Sequence, residues 1–120
     1  MKRILVVDDS VTMRQLIKMM LLKHVACQIT EAQDGLDALA KLKEGPFDLV
    51  VTDVNMPRMD GLGFIRAARE QLKSTVPIVI VTTKGGEADR DKGLQLGANA
   101  YLTKPINGVQ VVKTVSELLG

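Results

Sequence analysis

The chain has 120 residues, 46 % apolar and 25 % charged, a composition that fits one soluble globular domain (residues 1–120) with a single core and excludes disordered and fibrous classes. Sixteen Lys and Arg against fourteen Asp and Glu leave a net charge of +2, scattered along the chain instead of gathered into a stripe, so nucleic acid is not implied. The single cysteine, Cys27, excludes a disulfide framework and a zinc site and reads as a small buried residue.

Met1-Lys2-Arg3 lead into an apolar run, Ile4 to Val7, shorter than the roughly 7–15 residues of a signal-peptide core. No stretch approaches the roughly 18–20 apolar residues that cross a bilayer, so the expected location is the cytoplasm. The run itself is β-branched and continuously apolar, the pattern of a strand covered on both faces. Met13, Leu16, Ile17, Met20 and Leu21 then share one face of a first helix, with Arg14, Gln15 and Lys18 on the other. A weaker strand, Gln28 to Ala32, leads through Asp34-Gly35 to a second helix carrying Leu36, Leu39 and Leu42, closed by Gly45-Pro46. Leu49 to Thr52 is the third strand. The third helix starts near Asp60-Gly61 and buries Leu62, Ile65 and Ala68.

Ile78 to Thr82 is the fourth strand, and a fourth helix from about Glu87 to Leu96 follows Gly85-Gly86 and contains Gly93. Two such weaknesses predict poor packing and mobility there. The fifth strand is near Ala100 to Thr103, and the last helix presents Val109, Val112, Val115 and Leu119. Repeated βα units of this length predict an α/β fold, a mostly parallel sheet of five strands with five helices on its two faces.

Polar residues collect at the carboxyl ends of these strands: Asp8 and Asp9 after the first, Asp53 after the third, Thr82 and Thr83 after the fourth, Lys104 after the fifth. In an open α/β sheet those ends share one edge, and ligands bind where strand order reverses. Three carboxylates in one crevice repel unless a cation lies between them. Oxygen-only donors favour a hard ion, and room for waters and a phosphate oxygen suits Mg²⁺ better than Ca²⁺. Lys104 can pair with a phosphoryl oxygen and the Thr82 hydroxyl can donate to another, which completes the parts for phosphoryl transfer to Asp53. Taken singly, Asp8 or Asp9 could be a helix N-cap, Thr82 a strand-end hydroxyl and Lys104 a solvated lysine. The conjunction at four strand ends favours the site, while Asp34, Asp37, Asp48 and Asp60 read as turn or cap residues.

The motifs Val6-Val7-Asp8-Asp9, Thr12-Met13-Arg14, Asp34-Gly35, Asp53-Val54-Asn55-Met56-Pro57, Met59-Asp60-Gly61, Val81-Thr82, Gly97-Ala98 and Lys104-Pro105 span the whole chain. On them the sequence resembles the receiver domains of bacterial two-component response regulators, most closely the single-domain chemotaxis type. The resemblance implies a flavodoxin-like, doubly wound sheet of order 2-1-3-4-5. It implies phosphorylation of Asp53 by a sensor histidine kinase, Mg²⁺ held directly by Asp9 and Asp53, through water by Asp8 and through the backbone carbonyl of Asn55, and a phosphate-pairing Lys104. It further implies that Thr82 and Tyr101 act as switch residues, altering the face formed by helix 4, strand 5 and helix 5 that a downstream target reads. A cis Lys104-Pro105 bond is implied as well. The chain departs from the chemotaxis type at Thr83, Lys84, Gly85 and Gly86, beside the phosphoryl entrance, where phosphatase recognition and self-hydrolysis are set.

On this reading the protein is a phospho-acceptor that assists its own phosphorylation and dephosphorylation, not an enzyme, and is a monomer or a dimer. With no DNA-binding motif, output is expected through protein contact, at a flagellar motor or as a relay to another histidine-bearing protein. The chain stops where the last helix should finish, as both a whole protein and a receiver cut from a larger regulator or hybrid kinase would. A docking module that never carries phosphate would not need the full polar set. A flavin-binding electron carrier would use the same sheet edge, but Asp8 and Asp9 would repel the flavin phosphate.

Overall fold

In a computed structural model, which describes residues 1–83 and 85–120, the β-branched runs form strands β1 (Lys2–Val7), β2 (Cys27–Ala32), β3 (Leu49–Asp53), β4 (Ile78–Thr82) and β5 (Ala100–Thr103). Between and after them lie helices α1 (Val11–His24), α2 (Gly35–Glu44), α3 (Gly61–Glu70), α4 (Glu87–Leu96) and α5 (Gly108–Leu119). All neighbouring strands are parallel, in the order β2-β1-β3-β4-β5, the flavodoxin-like arrangement expected. β3 and β4 are buried along their whole length, whereas the edge strands β2 and β5 are partly open. Continuous apolar runs therefore mark strands covered on both sides.

The pleat sends alternate residues of one strand to two separate cores. Leu5, Val7, Val50, Ile78 and Ile80 pack with Ala38 and Leu39 of α2 and with Phe64, Ile65 and Ala68 of α3. Ile4, Val6, Val51, Val79 and Val81 pack on the opposite face with Ile17 and Leu21 of α1 and Val111 and Val115 of α5. Each fully buried Val, Ile or Leu here contributes about 1.5–3 kcal/mol relative to its exposed state.

Helix phases differ from the expectation at two places. Leu36 is 42 % exposed and Val109 78 % exposed, while Ala38 and Val111 face the sheet. In both cases the misplaced residue lies in the first turn, two residues after its cap, and the residue two further on faces the sheet instead. Side-chain caps come from Ser10, Asp34, Asp60 and Asn107, each accepting a backbone N–H of the helix it starts. Ser10, and neither Asp8 nor Asp9, is therefore the cap of α1, which leaves both carboxylates for other work.

α4 starts at Gly86 with no side-chain cap, and Gly93 is its one buried residue among those described. A Cβ at Gly93 would lie 2.7 Å from Ile80 Cδ1, so this glycine lets α4 approach β4. Gly93, expected from its helix propensity to weaken packing, is instead what makes the close contact possible. None of the described helices is long and apolar enough to cross a membrane.

Candidate functional site

Sheet order reverses between β1 and β3, so the chain leaves β1 toward α1 on one face and leaves β3 toward α3 on the other, and a crevice opens between the two loops. Asp8 and Asp9 follow β1 at this crevice and Asp53 ends β3. One carboxylate oxygen from each lies within 4.8 Å of the others. Asp8 is 1 % exposed and Asp53 6 % exposed, while Asp9 is open to solvent.

Each buried oxygen has a distinct environment. Asp8 Oδ1 accepts the Ser10 N–H at 2.9 Å, and Asp8 Oδ2 is buried with no hydrogen-bond partner among the described residues. Asp53 Oδ1 accepts the Val54 N–H at 2.8 Å. Asp53 Oδ2 faces the Lys104 ammonium at 3.3 Å. Burial pushes the Asp8 carboxyl above its ordinary range, and the Asp53 and Asp9 charges add to this against the opposing Ser10 N–H and Lys104.

An orphaned carboxylate oxygen beside two further carboxylates is an expensive arrangement without a cation. The donor set is all oxygen and lies at one edge of the crevice, so Asp8, Asp9 and Asp53 fit a hard divalent ion such as Mg²⁺.

Asp8, Asp9, Asp53 and Lys104 thus come together as the sequence reading expects. The Lys104-Pro105 peptide is cis. Thr82 is buried on the neighbouring strand, its hydroxyl directed at the Leu102 carbonyl at 3.5 Å and not at Asp53. A cavity of about 60 Å³ beside it is lined by Thr82, Thr83, Gly86, Arg90 and Thr103. Tyr101 stands away from the carboxylates, 41 % exposed, with the Arg90 guanidinium 5.0 Å above its ring. Asn55 is exposed in the loop after β3. Lys84, noted at the phosphoryl entrance, lies outside the described residues.

Three supporting contacts have no local signal in the sequence. Arg14 donates to the Asp8 carbonyl at 2.6 Å and to Glu31 at 3.0 Å, tying the end of β1 to α1 and β2. Arg58 donates to both oxygens of Asp34, and Arg90 covers Tyr101. Each partner is distant in sequence or on another element, and exposed-looking arginines give no periodicity to read. A cavity of about 630 Å³ opens at the amino ends of β3 and β4, at the opposite edge of the sheet from the carboxylates.

Comparison with known proteins agrees with this geometry. The sequence profile of the response regulator receiver domain matches residues 4–116. The transcriptional regulatory protein ResD of Bacillus subtilis is 40 % identical over 117 residues, 98 % of this chain and 48 % of ResD, so the chain spans about half the length of that relative. Protein PilH of Pseudomonas aeruginosa is 38 % identical over 120 residues, 99 % of this chain and 98 % of PilH. Among solved structures, the chemotaxis response regulator CheY4 of Vibrio cholerae superposes with a TM-score of 0.89 at 35 % identity, covering 98 % of each chain. With its carboxylate crevice, its parallel order and the profile match over nearly all of its length, the chain belongs to the response regulator receiver domain family of two-component systems.

Proposed function

We propose that this receiver is a phosphorylation-driven switch in which Asp53 accepts a phosphoryl group from a phosphohistidine of a sensor histidine kinase. The observation that carries the reading is the Asp53 carboxylate itself, buried, with Oδ2 facing Lys104 at 3.3 Å and the Asp8 and Asp9 oxygens within 4.8 Å. An Asp53 oxygen attacks phosphorus, and the new P–O bond forms as the P–N bond breaks. The imidazole departs with that bond's electron pair and is protonated from solvent. The acceptor is already a carboxylate, so no general base is required.

Oδ1 accepts the Val54 N–H and Oδ2 lies on the Lys104 side, so attack through Oδ2 brings the transferred group next to the lysine that can neutralise it. Lys104 neutralises charge on the transferred group, as a positioned cation does in phosphoryl transfer. Asp8, Asp9 and Asp53, with Asn55 in the following loop, would hold Mg²⁺. When bound, that ion supplies positive charge to the phosphoryl oxygens and relieves the crowding of the carboxylates. The protein assists its own phosphorylation and dephosphorylation and turns over no separate substrate.

Signalling follows as a population shift, since a phosphoryl group favours only the arrangement in which it gains contacts. Thr82 exchanges the Leu102 carbonyl for a phosphoryl oxygen, and Tyr101 leaves Arg90 and turns inward. The α4–β5–α5 face then presents a changed surface to a target protein. Similarity to CheY4 and to PilH along nearly their whole length favours output by protein contact, with chemotaxis the first pathway to test.

Acetyl phosphate with Mg²⁺ should label the protein, and Asp53→Asn should abolish labelling because an amide cannot form an acyl phosphate. Full labelling of that variant would overturn the assignment. A pull-down comparing beryllofluoride-treated with untreated protein then identifies the target.

A further inference from the structure

The loop of residues 54–60 carries Asn55 and joins Asp53 to α3. Its base is closed by the Gly61 N–H donating to the Val54 carbonyl at 2.8 Å. Gly61 packs so tightly there that a Cβ would lie 2.2 Å from the Asp53 carbonyl oxygen. Its far side is bolted to the start of α2. The Gly35 N–H donates to the Met59 carbonyl at 2.8 Å, and a Cβ on Gly35 would lie 2.5 Å from that same oxygen.

The second bolt is an arginine fork. Arg58 Nε donates to Asp34 Oδ2 at 2.7 Å and Nη2 to Oδ1 at 3.0 Å. Asp34 is 3 % exposed and also accepts the Asp37 N–H at 2.9 Å as the N-cap of α2, so the carboxylate cannot swing to follow the arginine. Arg58 holds a left-handed backbone, φ 66°, a conformation a non-glycine residue adopts at a cost. Something must offset that cost, and the two-pronged charged bond is the interaction available. Arg58 and Asp34 share with Asp9 and Pro57 the wall of a cleft of about 370 Å³, which places the fork next to the carboxylate crevice.

We propose that Arg58 is a positioning residue for metal binding: by gripping Asp34 it fixes the loop after Asp53, so that Asn55 is presented to the carboxylate crevice without reordering when Mg²⁺ arrives. The proposal rests on the phosphoacceptor reading above and adds to it a determinant outside the ligand set. Partners behind metal ligands set their orientation, and losing one typically weakens metal affinity about 10–100-fold. Removing Arg58 should fall near the lower end, because the Gly35–Met59 bolt remains.

The test is Mg²⁺ affinity by calorimetry on unphosphorylated protein, alongside thermal melts without metal. Arg58→Gly removes the fork and also the strained φ, Arg58→Lys keeps the charge without the fork, and Asp34→Asn keeps a competent N-cap without the charge. Dissociation constants should rise about tenfold for Arg58→Gly and Asp34→Asn, and nearly as much for Arg58→Lys. The double variant Asp34→Asn/Arg58→Gly should be no weaker than either single one, because both remove the same interaction. Metal-free melting of the double variant should remain close to wild type, which separates positioning from fold loss. Wild-type affinity in Arg58→Gly, or additive losses in the double variant, overturns the proposal. Asp9→Ala distinguishes the other failure: if it too binds Mg²⁺ as tightly as wild type, the metal reading itself falls.

Discussion

Asp8→Asn should make the metal-free protein more stable, because the native crevice holds a charge conflict that the unfolded chain does not. Two carboxylate oxygens no more than 4.8 Å apart repel by at least about 3.5 kcal/mol at an effective dielectric of about 20 and at least about 0.9 kcal/mol in bulk water. Lys104, 3.3 Å from Asp53, offsets part of this, and Asp9 is exposed and screened. The relief is therefore about 1–3 kcal/mol, which for a chain of 120 residues raises the melting temperature by about 4–12 °C. Asn retains the oxygen that accepts the Ser10 N–H, so that bond survives. The sign with pH follows from the direction of the Asp8 shift. Burial raises its folded pKa above the unfolded value of 3.8, so the native penalty is absent below that value and grows as pH rises toward the folded one. Calorimetric melts in EDTA should thus show the variant's advantage widening between pH 4 and pH 7.5. Saturating Mg²⁺ should narrow or reverse the gap, since ligand at about 100 times its dissociation constant adds about 2.7 kcal/mol to the form that binds it. Coincident melts of the two proteins in EDTA at pH 7.5 would refute the reasoning.

Gly61→Ala should destabilise by about 3 kcal/mol or more and depress acetyl phosphate labelling, because the new Cβ meets the Asp53 carbonyl oxygen at 2.2 Å and backbone cannot yield as a side chain can; urea titration and labelling measure both effects. Phe64→Ala removes a fully buried ring from the α2–α3 side of the core and should cost about 3–5 kcal/mol in the same titration while sparing Mg²⁺ affinity in whatever fraction remains folded.

The elements were legible because their signals are local. β3 and β4 are unbroken apolar runs, and parallel interior strands require that. The acidic crevice was legible for a different reason: parallel strands all deliver their carboxyl ends to one edge, so Asp8, Asp53 and Lys104 converge once the βα alternation is recognised. Strand order itself came from resemblance, as nothing local distinguishes it. The phase of α2 and α5 is not legible at Leu36 and Val109, where an apolar residue in a first turn mimics the stripe. The role of Gly93 is not legible either, because helix propensity describes an isolated helix, whereas Ile80 lies where a Cβ at this position would be. The arginine contacts at Asp34 and Tyr101 depend on tertiary neighbours, which no period in the sequence encodes.

The carboxylates predicted above to weaken the metal-free fold are the same groups a cation would engage. Were Asp8 replaced by an apolar residue, the crevice would be calmer, but the chain would lose the unsatisfied oxygen that a cation can engage. A fold at rest with such a conflict gains from anything that brings positive charge to that edge, and Lys104 answers only part of it because one ammonium, paired with Asp53, stands against three carboxylates. The surrounding structure is correspondingly stiff: Arg14 secures the end of β1, the Gly61–Val54 bond closes the loop after β3, and the Arg58 fork holds its far side. On the side away from these anchors, α4 starts on a glycine without a side-chain cap and the exposed Tyr101 ring is covered by the Arg90 guanidinium. If Asp53 is phosphorylated as proposed, the new group shifts the population only through contacts it gains in one arrangement, and with the end of β1 and the loop after β3 tied down, Thr82 and Tyr101 on the neighbouring strands are the groups left to rearrange.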